Sequence, residues 1–99
     1  MKPIDFNTPA GVKLRVMKRP IEIQAMIIET EADFVSALRE MGLGRGDWKI
    51  DKNDNPQVRT KEGWFTGKWR DALMRGVRGE FYLCDRTIFE QTYGIVEGK

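Results

Sequence analysis

The segment from Arg75 to Tyr93 constrains the fold of this 99-residue chain more than any other part of it. It begins with a glycine-rich turn at 76–79, which is followed by a strand-prone alternating run at 81–84. Asp85 is then a suitable N-cap for a short helix that runs to the end of the segment, and Gly94 would end that helix. The segment therefore predicts a turn, a core strand and a capped helix that close a domain.

Upstream, alternation of apolar and polar residues with a period of two predicts β-strands. The two longest alternating runs are 12–17 and 21–27, and Pro20 separates them because proline has no N–H to donate to a ladder. Residues 1–11 contain two prolines and a glycine, and we expect them to form an extended arm. The residues predicted to share one face of the second strand are Ile21, Ile23, Ala25 and Ile27.

A helix is predicted over residues 32–41, packed on the preceding sheet. Thr30 is a suitable N-cap and an acidic first turn follows it. Gly42 and Gly44 provide the glycines that commonly follow the last turn of a helix. The apolar residues that recur at helical spacing are Phe34, Leu38 and Met41.

Further short strands are predicted at 48–50 and 58–60, on either side of a polar loop, and in an aromatic-rich run at 64–69 that continues through 72–74. Residues 95–96 could add an edge strand. Together these elements predict an α+β fold, in which residues 12–99 form one domain. We expect a curved antiparallel sheet of about five or six strands, one main helix and a short C-terminal helix.

The chain contains no histidine and a single cysteine, Cys84. The commonest general base and the commonest metal ligand are therefore missing, which excludes a papain-type nucleophile and a Cys/His zinc site. Only carboxylate, lysine or tyrosine chemistry would remain, so the composition favours a protein that is not an enzyme and has no cofactor. A lone cysteine also predicts a reducing, cytoplasmic compartment, and no apolar run is long enough to span a membrane.

Residues 51–62 come close to the pattern of a calcium-binding loop. Oxygen donors occupy relative positions one, three and five, and Glu62 stands at position twelve. Position six, however, is Pro56 in place of glycine, and proline cannot adopt the positive φ needed there. The flanking residues are also strand-like rather than helical. A polar hairpin loop is the favoured interpretation, with calcium binding as the alternative.

The segment from Arg59 to Arg78 combines basic and aromatic residues. It carries six cationic and two acidic side chains, which leaves a local charge of +4. Aromatic rings that stack and cations that hold phosphates are what an anionic ligand requires, whereas a sheet with core-facing aromatics and solvated arginines is the alternative. The residues predicted to bind a partner or an anion are Trp64, Lys68, Trp69, Arg70, Arg75 and Arg78.

Several blocks of the chain share a further pattern. The first has the form Lys-Arg-Pro-Ile-Glu-Ile-Gln-Ala, and the last combines Gly-Val-Arg-Gly-Glu-Phe-Tyr-Leu-Cys with Ile-Phe-Glu-Gln-Thr-Tyr. These blocks resemble a family of small, uncharacterised phage and prophage proteins named for a Pro-Gly-Asp-Tyr-Gly motif. The chain departs from that pattern at Lys68, where the family has aspartate, and at Leu83, where proline is usual. The blocks are 18–25, 67–69, 76–84 and 88–93.

The resemblance implies a viral protein in the cytoplasm of a bacterial host, but it supplies no catalytic residues. The preferred function is a non-enzymatic binding protein that modulates a host protein or a defence component. The alternative is a nucleic-acid or nucleotide-binding protein that uses the basic aromatic face at 59–78. A carboxylate-dependent enzyme is the third hypothesis and would need two converging acids. We expect no membrane partner, and an exposed edge strand would permit a homodimer.

Overall fold

The predicted α+β class is confirmed by a computed structural model, which describes residues 7, 9–13, 15 and 21–96. These residues form six strands and two helices, and neither helix is long and apolar enough to cross a membrane. In chain order the elements are β1 (Gln24–Ile27), α1 (Glu31–Glu40), β2 (Trp48–Ile50), β3 (Pro56–Thr60), β4 (Gly63–Thr66), β5 (Ala72–Arg75), β6 (Phe81–Cys84) and α2 (Arg86–Thr92).

The six strands form two antiparallel sheets of three strands each, where we expected one curved sheet. In the first sheet, β5 lies between β1 and β6, and Leu73 pairs with Leu83. In the second, β3 lies between β2 and β4, so that Val58 pairs with Trp48 on one side and with Phe65 on the other. The second sheet is thus a meander of sequential strands, whereas the first adds the distant β1 to the β5–β6 hairpin.

The hydrophobic core lies where α1 meets both sheets. The ring of Phe34 on α1 is fully buried and stacks on Trp48 of β2, with the ring centroids 4.7 Å apart. Burial of one such side chain contributes about 1.5–3 kcal/mol to the free energy of unfolding. The buried residues that connect α1 to both sheets are Ile28, Phe34, Ala37, Val58, Leu73 and Leu83.

Helix α1 begins and ends close to its predicted bounds. Its N-terminal turn is closed by Asp33, whose carboxylate accepts the backbone N–H groups of Glu29 and Thr30 at 2.7 and 3.0 Å. At the other end, Gly42 has a φ of +77°, which is the left-handed conformation that glycine adopts without strain. The Arg75 guanidinium donates to the carbonyl of Met41 at 2.8 Å, which satisfies a carbonyl at the helix end and ties α1 to β5.

The predicted strand at 21–27 is shorter than expected, and the apolar set that begins at Ile21 is not the one that packs on the core. Ile21 and Ala25 are exposed, whereas Met26 packs against the core and Ile28 is fully buried. Residues 26–28 are all apolar, so both alternating sets contain candidates for burial. The pairing of β1 with β5, which local alternation does not reveal, selects the set that contains Met26 and Ile28.

The predicted aromatic strand at 64–69 does not continue into 72–74, because a turn interrupts it and the two halves join different sheets. The Asp71 carboxylate accepts the Lys68 N–H at 2.8 Å, and Arg70 donates its N–H to the Ile28 carbonyl at 2.6 Å. Arg70 has a φ of +82°, in the left-handed region that side chains rarely adopt. The aspartate at the end of this turn was a local turn signal, but the strand propensity of the flanking residues was given more weight.

Helix α2 starts as predicted, because the Asp85 carboxylate accepts the N–H groups of Thr87 and Ile88. None of its residues is buried. Burial, and then the hydrogen bond with Tyr93, raise the pKa of Tyr82 to about 12, so this tyrosine pair links β6 to the residue that follows the helix. The helix stops at Thr92, before Gly94.

Two predictions at the chain ends have different outcomes. Ile95 and Val96 are exposed and belong to no strand, so the predicted edge strand at 95–96 was wrong; nothing pairs with this stretch among the described residues. The arm predicted for 1–11 and the strand predicted for 12–17 lie largely outside the described residues. Those that are described between 7 and 15 are exposed and form no strand.

Candidate binding surface

The solvent-facing side of the β2–β3–β4 sheet carries a cluster of aromatic and basic side chains. Trp48, Val58 and Phe65 are in register and share the side of the buried Val58. Successive side chains of a strand point to opposite faces, so the residues between them lie on the other side. We call this side the outer face and define it by Lys49, Gln57, Arg59, Trp64 and Thr66.

The indole of Trp64 contacts a cation from each of the other two strands of the sheet. Trp64 belongs to β4, yet its ring centroid is 4.2 Å from Nζ of Lys49 on β2. Because β3 separates those strands, the Lys49 and Trp64 side chains meet over β3. Cζ of Arg59 lies 5.1 Å from the same centroid. Two cation–π contacts, each worth about 0.5–1 kcal/mol at an exposed site, thus hold a ring that remains 36% exposed.

Polar contacts order the rest of the outer face. The Gln57 side-chain amide donates to Oγ1 of Thr66 at 2.6 Å, which joins β3 to β4. Nε of Arg59 lies 4.0 Å from a carboxylate oxygen of Asp47, so the charge of Arg59 is partly balanced. The outer face therefore presents one ordered aromatic ring beside two cations. Arg59 has a carboxylate partner, whereas Lys49 has none among the residues that the structure describes.

The predicted site residues occupy three separate places. Trp64 lies on the outer face. Trp69 instead packs against the core, where its ring meets Phe34 edge-on at 6.0 Å and its Nε1 donates to the Asp54 carbonyl at 2.6 Å. This second tryptophan therefore fastens the turn after β4 to the β2–β3 loop.

Lys68 and Arg70 lie in that turn and are exposed. Nε of Arg70 is 3.7 Å from a carboxylate oxygen of Glu29, an ion pair at the surface that contributes little to stability. Arg75 and Arg78 belong to the other sheet and its β5–β6 turn. Arg75 is engaged with α1, and its Cζ lies 5.7 Å from the Phe81 ring centroid. The six residues thus do not form one surface.

Sequence reasoning missed Lys49 and gave Arg59 no place among the binding residues. Both contact Trp64 through cross-strand pairing, not through spacing along the chain. The available signal was the polar loop at 51–56, which was predicted to turn the chain back on itself. That reversal brings 48–50 beside 56–60 and places Lys49 within reach of the face that carries Trp64.

Residues 51–62, whose sequence comes close to the pattern of a calcium-binding loop, begin with the predicted polar hairpin loop and continue into β3. Asp51 accepts the N–H groups of Asn53 and Asn55 at 2.8 and 2.9 Å, so its carboxylate closes the turn, while Pro56 is buried at the start of β3. Among the described residues, no three Asp, Glu or Cys side chains cluster in a way that could hold a metal ion.

Two other sites bear on catalysis. Burial raises the pKa of the partly buried Cys84 thiol, and the carboxylates of Asp85 and Asp71 add to the effect, so the thiolate is disfavoured. A shallow depression of about 290 Å³ beside Arg75 has one acidic lining residue, Glu22. It therefore does not bring together the two carboxylates that a carboxylate-dependent reaction requires.

Comparison of the chain with protein-family models, with curated proteins and with solved structures gives no match. The resemblance to the Pro-Gly-Asp-Tyr-Gly proteins consequently stays a prediction.

Proposed function

We propose that this chain is a non-enzymatic binding protein that holds an acidic patch of a partner protein against its outer face. The observation that supports this proposal is Trp64, whose indole contacts two cations, Lys49 and Arg59, and remains 36% exposed. Tryptophan and arginine are the residues most enriched in the hot spots of protein interfaces. Under the resemblance described above, the partner would be a bacterial host protein, such as a defence component.

The geometry suits recognition of a carboxylate-bearing surface. Lys49 and Arg59 flank a ring that is already held in place, so little side-chain entropy is lost when a partner docks. An apolar group of the partner could cover the indole while its carboxylates meet the two cations at the rim. The resulting contact would combine a desolvated aromatic centre with charge complementarity around it, an arrangement typical of protein interfaces.

Single-stranded nucleic acid is the second candidate, because an exposed tryptophan beside cations can stack a base and hold a phosphate. One feature favours a protein. The outer face holds two cations, and Arg59 is shared with Asp47, which leaves few groups to neutralise a phosphate backbone.

Affinity capture from a bacterial lysate, with and without nuclease, tests both candidates. Wild type should retain a protein after nuclease treatment, and Trp64→Ala should weaken its binding by about 30-fold, the effect of losing a hot-spot residue. Lys49→Glu combined with Arg59→Glu should abolish capture. Arg78→Glu, a charge reversal on the β5–β6 turn, is the matched control and should bind as wild type does.

The purified complex then discriminates between the candidates by its salt dependence. If nuclease treatment abolishes capture of the partner and binding weakens steeply as the salt concentration rises, the partner is nucleic acid and not a protein. Binding that survives Trp64→Ala but fails with Arg78→Glu would remove the outer face from the proposal and point to the β5–β6 turn.

A further inference from the structure

Strand β4 has an open edge. Within the part of the chain that the structure describes, β4 pairs with β3 alone, and all four of its residues are exposed. Natural edge strands usually carry a charge or a proline that prevents pairing with another strand, and Gly63-Trp64-Phe65-Thr66 contains neither. The edge is therefore chemically suited to accept a further strand.

The hydrogen-bond pattern identifies which backbone groups face that edge. The Gly67 N–H donates to the Pro56 carbonyl at 2.9 Å, toward β3. Because hydrogen-bonded and non-hydrogen-bonded pairs alternate in an antiparallel ladder, Phe65 also directs its backbone groups toward β3. Trp64 and Thr66 consequently direct theirs to the open side. The Arg59 N–H fits this alternation. It points away from Trp64, the residue with which Arg59 is paired, and donates to the backbone carbonyl of Asp47, just before β2.

We infer that two copies of the chain associate by antiparallel pairing of β4 with β4, around a twofold axis at Phe65. The open groups of Trp64 and Thr66 lie two residues apart, so Trp64 of each copy would face Thr66 of the other. This register gives four backbone hydrogen bonds between the copies and turns the two β2–β3–β4 sheets into one continuous sheet.

Neighbouring twofold registers are blocked by groups that are already engaged. An axis at Trp64 would pair Thr66 with Glu62, whose N–H donates to Oγ1 of Thr60 at 3.2 Å. An axis at Thr66 would pair Trp64 with Lys68, whose N–H donates to the Asp71 carboxylate at 2.8 Å. The axis at Phe65 is the register that uses the open groups and disturbs neither bond.

Side chains at the edge support a second copy of this chain as the occupant. Phe65 is 50% exposed and would meet its own copy across the axis, where the side chains of a non-hydrogen-bonded pair lie close together. At each end of the pairing, Glu62 would stand opposite Lys68 of the other copy. Apolar contact at the centre and opposite charges at both ends are therefore complementary under the same twofold operation.

Pairing would also place two outer faces side by side on one surface of the extended sheet. A partner with two acidic patches would then bind both, with a gain in avidity. The inference about association does not depend on that function, because it is tested by molecular mass rather than by partner binding.

Sedimentation equilibrium of the full chain, from micromolar to millimolar concentration, measures the association directly. Wild type should be a reversible dimer. Thr66→Pro removes the outward N–H of each copy and leaves the β3–β4 hydrogen bonds in place, so it should raise the dimer Kd by about 30-fold. Thr66→Ala loses the same contact with Gln57 but keeps the N–H, and as the matched control it should dimerise as wild type does.

Two further variants test the register and protect the experiment from a folding defect in Thr66→Pro. Phe65→Lys places like charges at the axis and should yield a monomer whose circular dichroism is that of the wild type. Lys68→Glu should weaken the dimer, and Glu62→Lys combined with Lys68→Glu should restore it.

A wild-type monomer at millimolar concentration would overturn the inference. So would a dimer that tolerates both Thr66→Pro and Phe65→Lys, since its interface would lie elsewhere. Slow hydrogen exchange at the amides of Trp64 and Thr66 in a monomer would mean that another segment of the same chain covers the edge, and it would also overturn the inference.

Discussion

The two sheets differ in how much of them is covered. In β5, at the centre of the first sheet, Ala72, Leu73 and Met74 are all fully buried, so both faces of that strand are covered. In the second sheet, one face packs on α1 and the core, and the other presents Trp64, Lys49 and Arg59 to solvent. A strand that is buried on both faces can contribute only to stability, whereas a sheet with one solvent-exposed face can also bind a partner. We therefore expect the first sheet to contribute most to stability, and recognition is the role that we propose for the second.

The largest expected effect is that of Leu73→Ala in β5. Removal of a fully buried leucine should lower the free energy of unfolding by about 2–5 kcal/mol, through lost transfer energy and the cavity left behind. Trp64→Ala on the outer face should cost about 1–2 kcal/mol, mainly its cation–π contacts. Denaturant unfolding followed by circular dichroism measures both. Equal losses would contradict the division between the sheets.

The next largest effect is expected for Gly67→Ala, which tests how tightly the first sheet packs against the end of β4. A Cβ at Gly67 would stand 2.6 Å from a side-chain carbon of Leu83 and 2.9 Å from an Asp71 carboxylate oxygen. We expect a loss of about 1–3 kcal/mol in the same assay, typical of overpacking. Gly46→Ala is the matched control, since its Cβ would meet nothing within 4 Å. A Gly67→Ala protein as stable as the control would show that the two sheets separate there without cost.

Arg70→Gly should stabilise the protein by about 1 kcal/mol, because glycine adopts the φ of +82° without the strain that a side chain causes. Arg70→Ala loses the same ion pair with Glu29 but keeps the strain, so the difference between the two variants isolates the backbone effect. Thermal unfolding provides the comparison. If both variants unfold at the same temperature, the turn between the sheets is unstrained.

The smallest expected effect concerns the hydrogen-bonded pair formed by Tyr82 on β6 and Tyr93 after α2. The pKa of Tyr82 is raised from 10.0 to about 12, so the folded protein favours the protonated phenol. Its contribution to stability should be fully present below pH 10 and lost as the pH rises toward 12. Tyr93→Phe removes the hydrogen bond that helps to raise this pKa, and ultraviolet titration of tyrosinate should show a lower pKa for Tyr82. An unchanged titration would mean that burial and the nearby Glu80 and Cys84, without Tyr93, set the pKa.

Local signals predicted the elements well. Asp85 as an N-cap, Gly42 after α1 and the reversals at 51–56 and 76–79 are all confirmed, because each depends on a few adjacent residues. The division into two sheets and the core-facing side of β1 could not be predicted in the same way. Both follow from which distant strands pair, and alternation within one strand is equally compatible with either side.

The candidate site shows the same limit. Trp64 was among the predicted binding residues, but its neighbour Lys49 lies two strands away and enters the site through register alone. Trp69 lies directly between two basic residues in the sequence, yet it packs against Phe34. Charge and aromaticity along the chain selected one residue of the outer face, Trp64, and cross-strand geometry decided which residues share that face with it.

The pairing of β1 with β5 has a consequence for the order of folding. The whole of α1 and the β2–β3–β4 meander lies between these two strands in the sequence. Hairpins between adjacent strands close short loops at little entropic cost, whereas β1 must wait for a long loop to close. We therefore expect the meander to form early, as a compact excursion that shortens the effective distance between β1 and β5. During synthesis, the proposed binding surface would then take shape before the first sheet is complete.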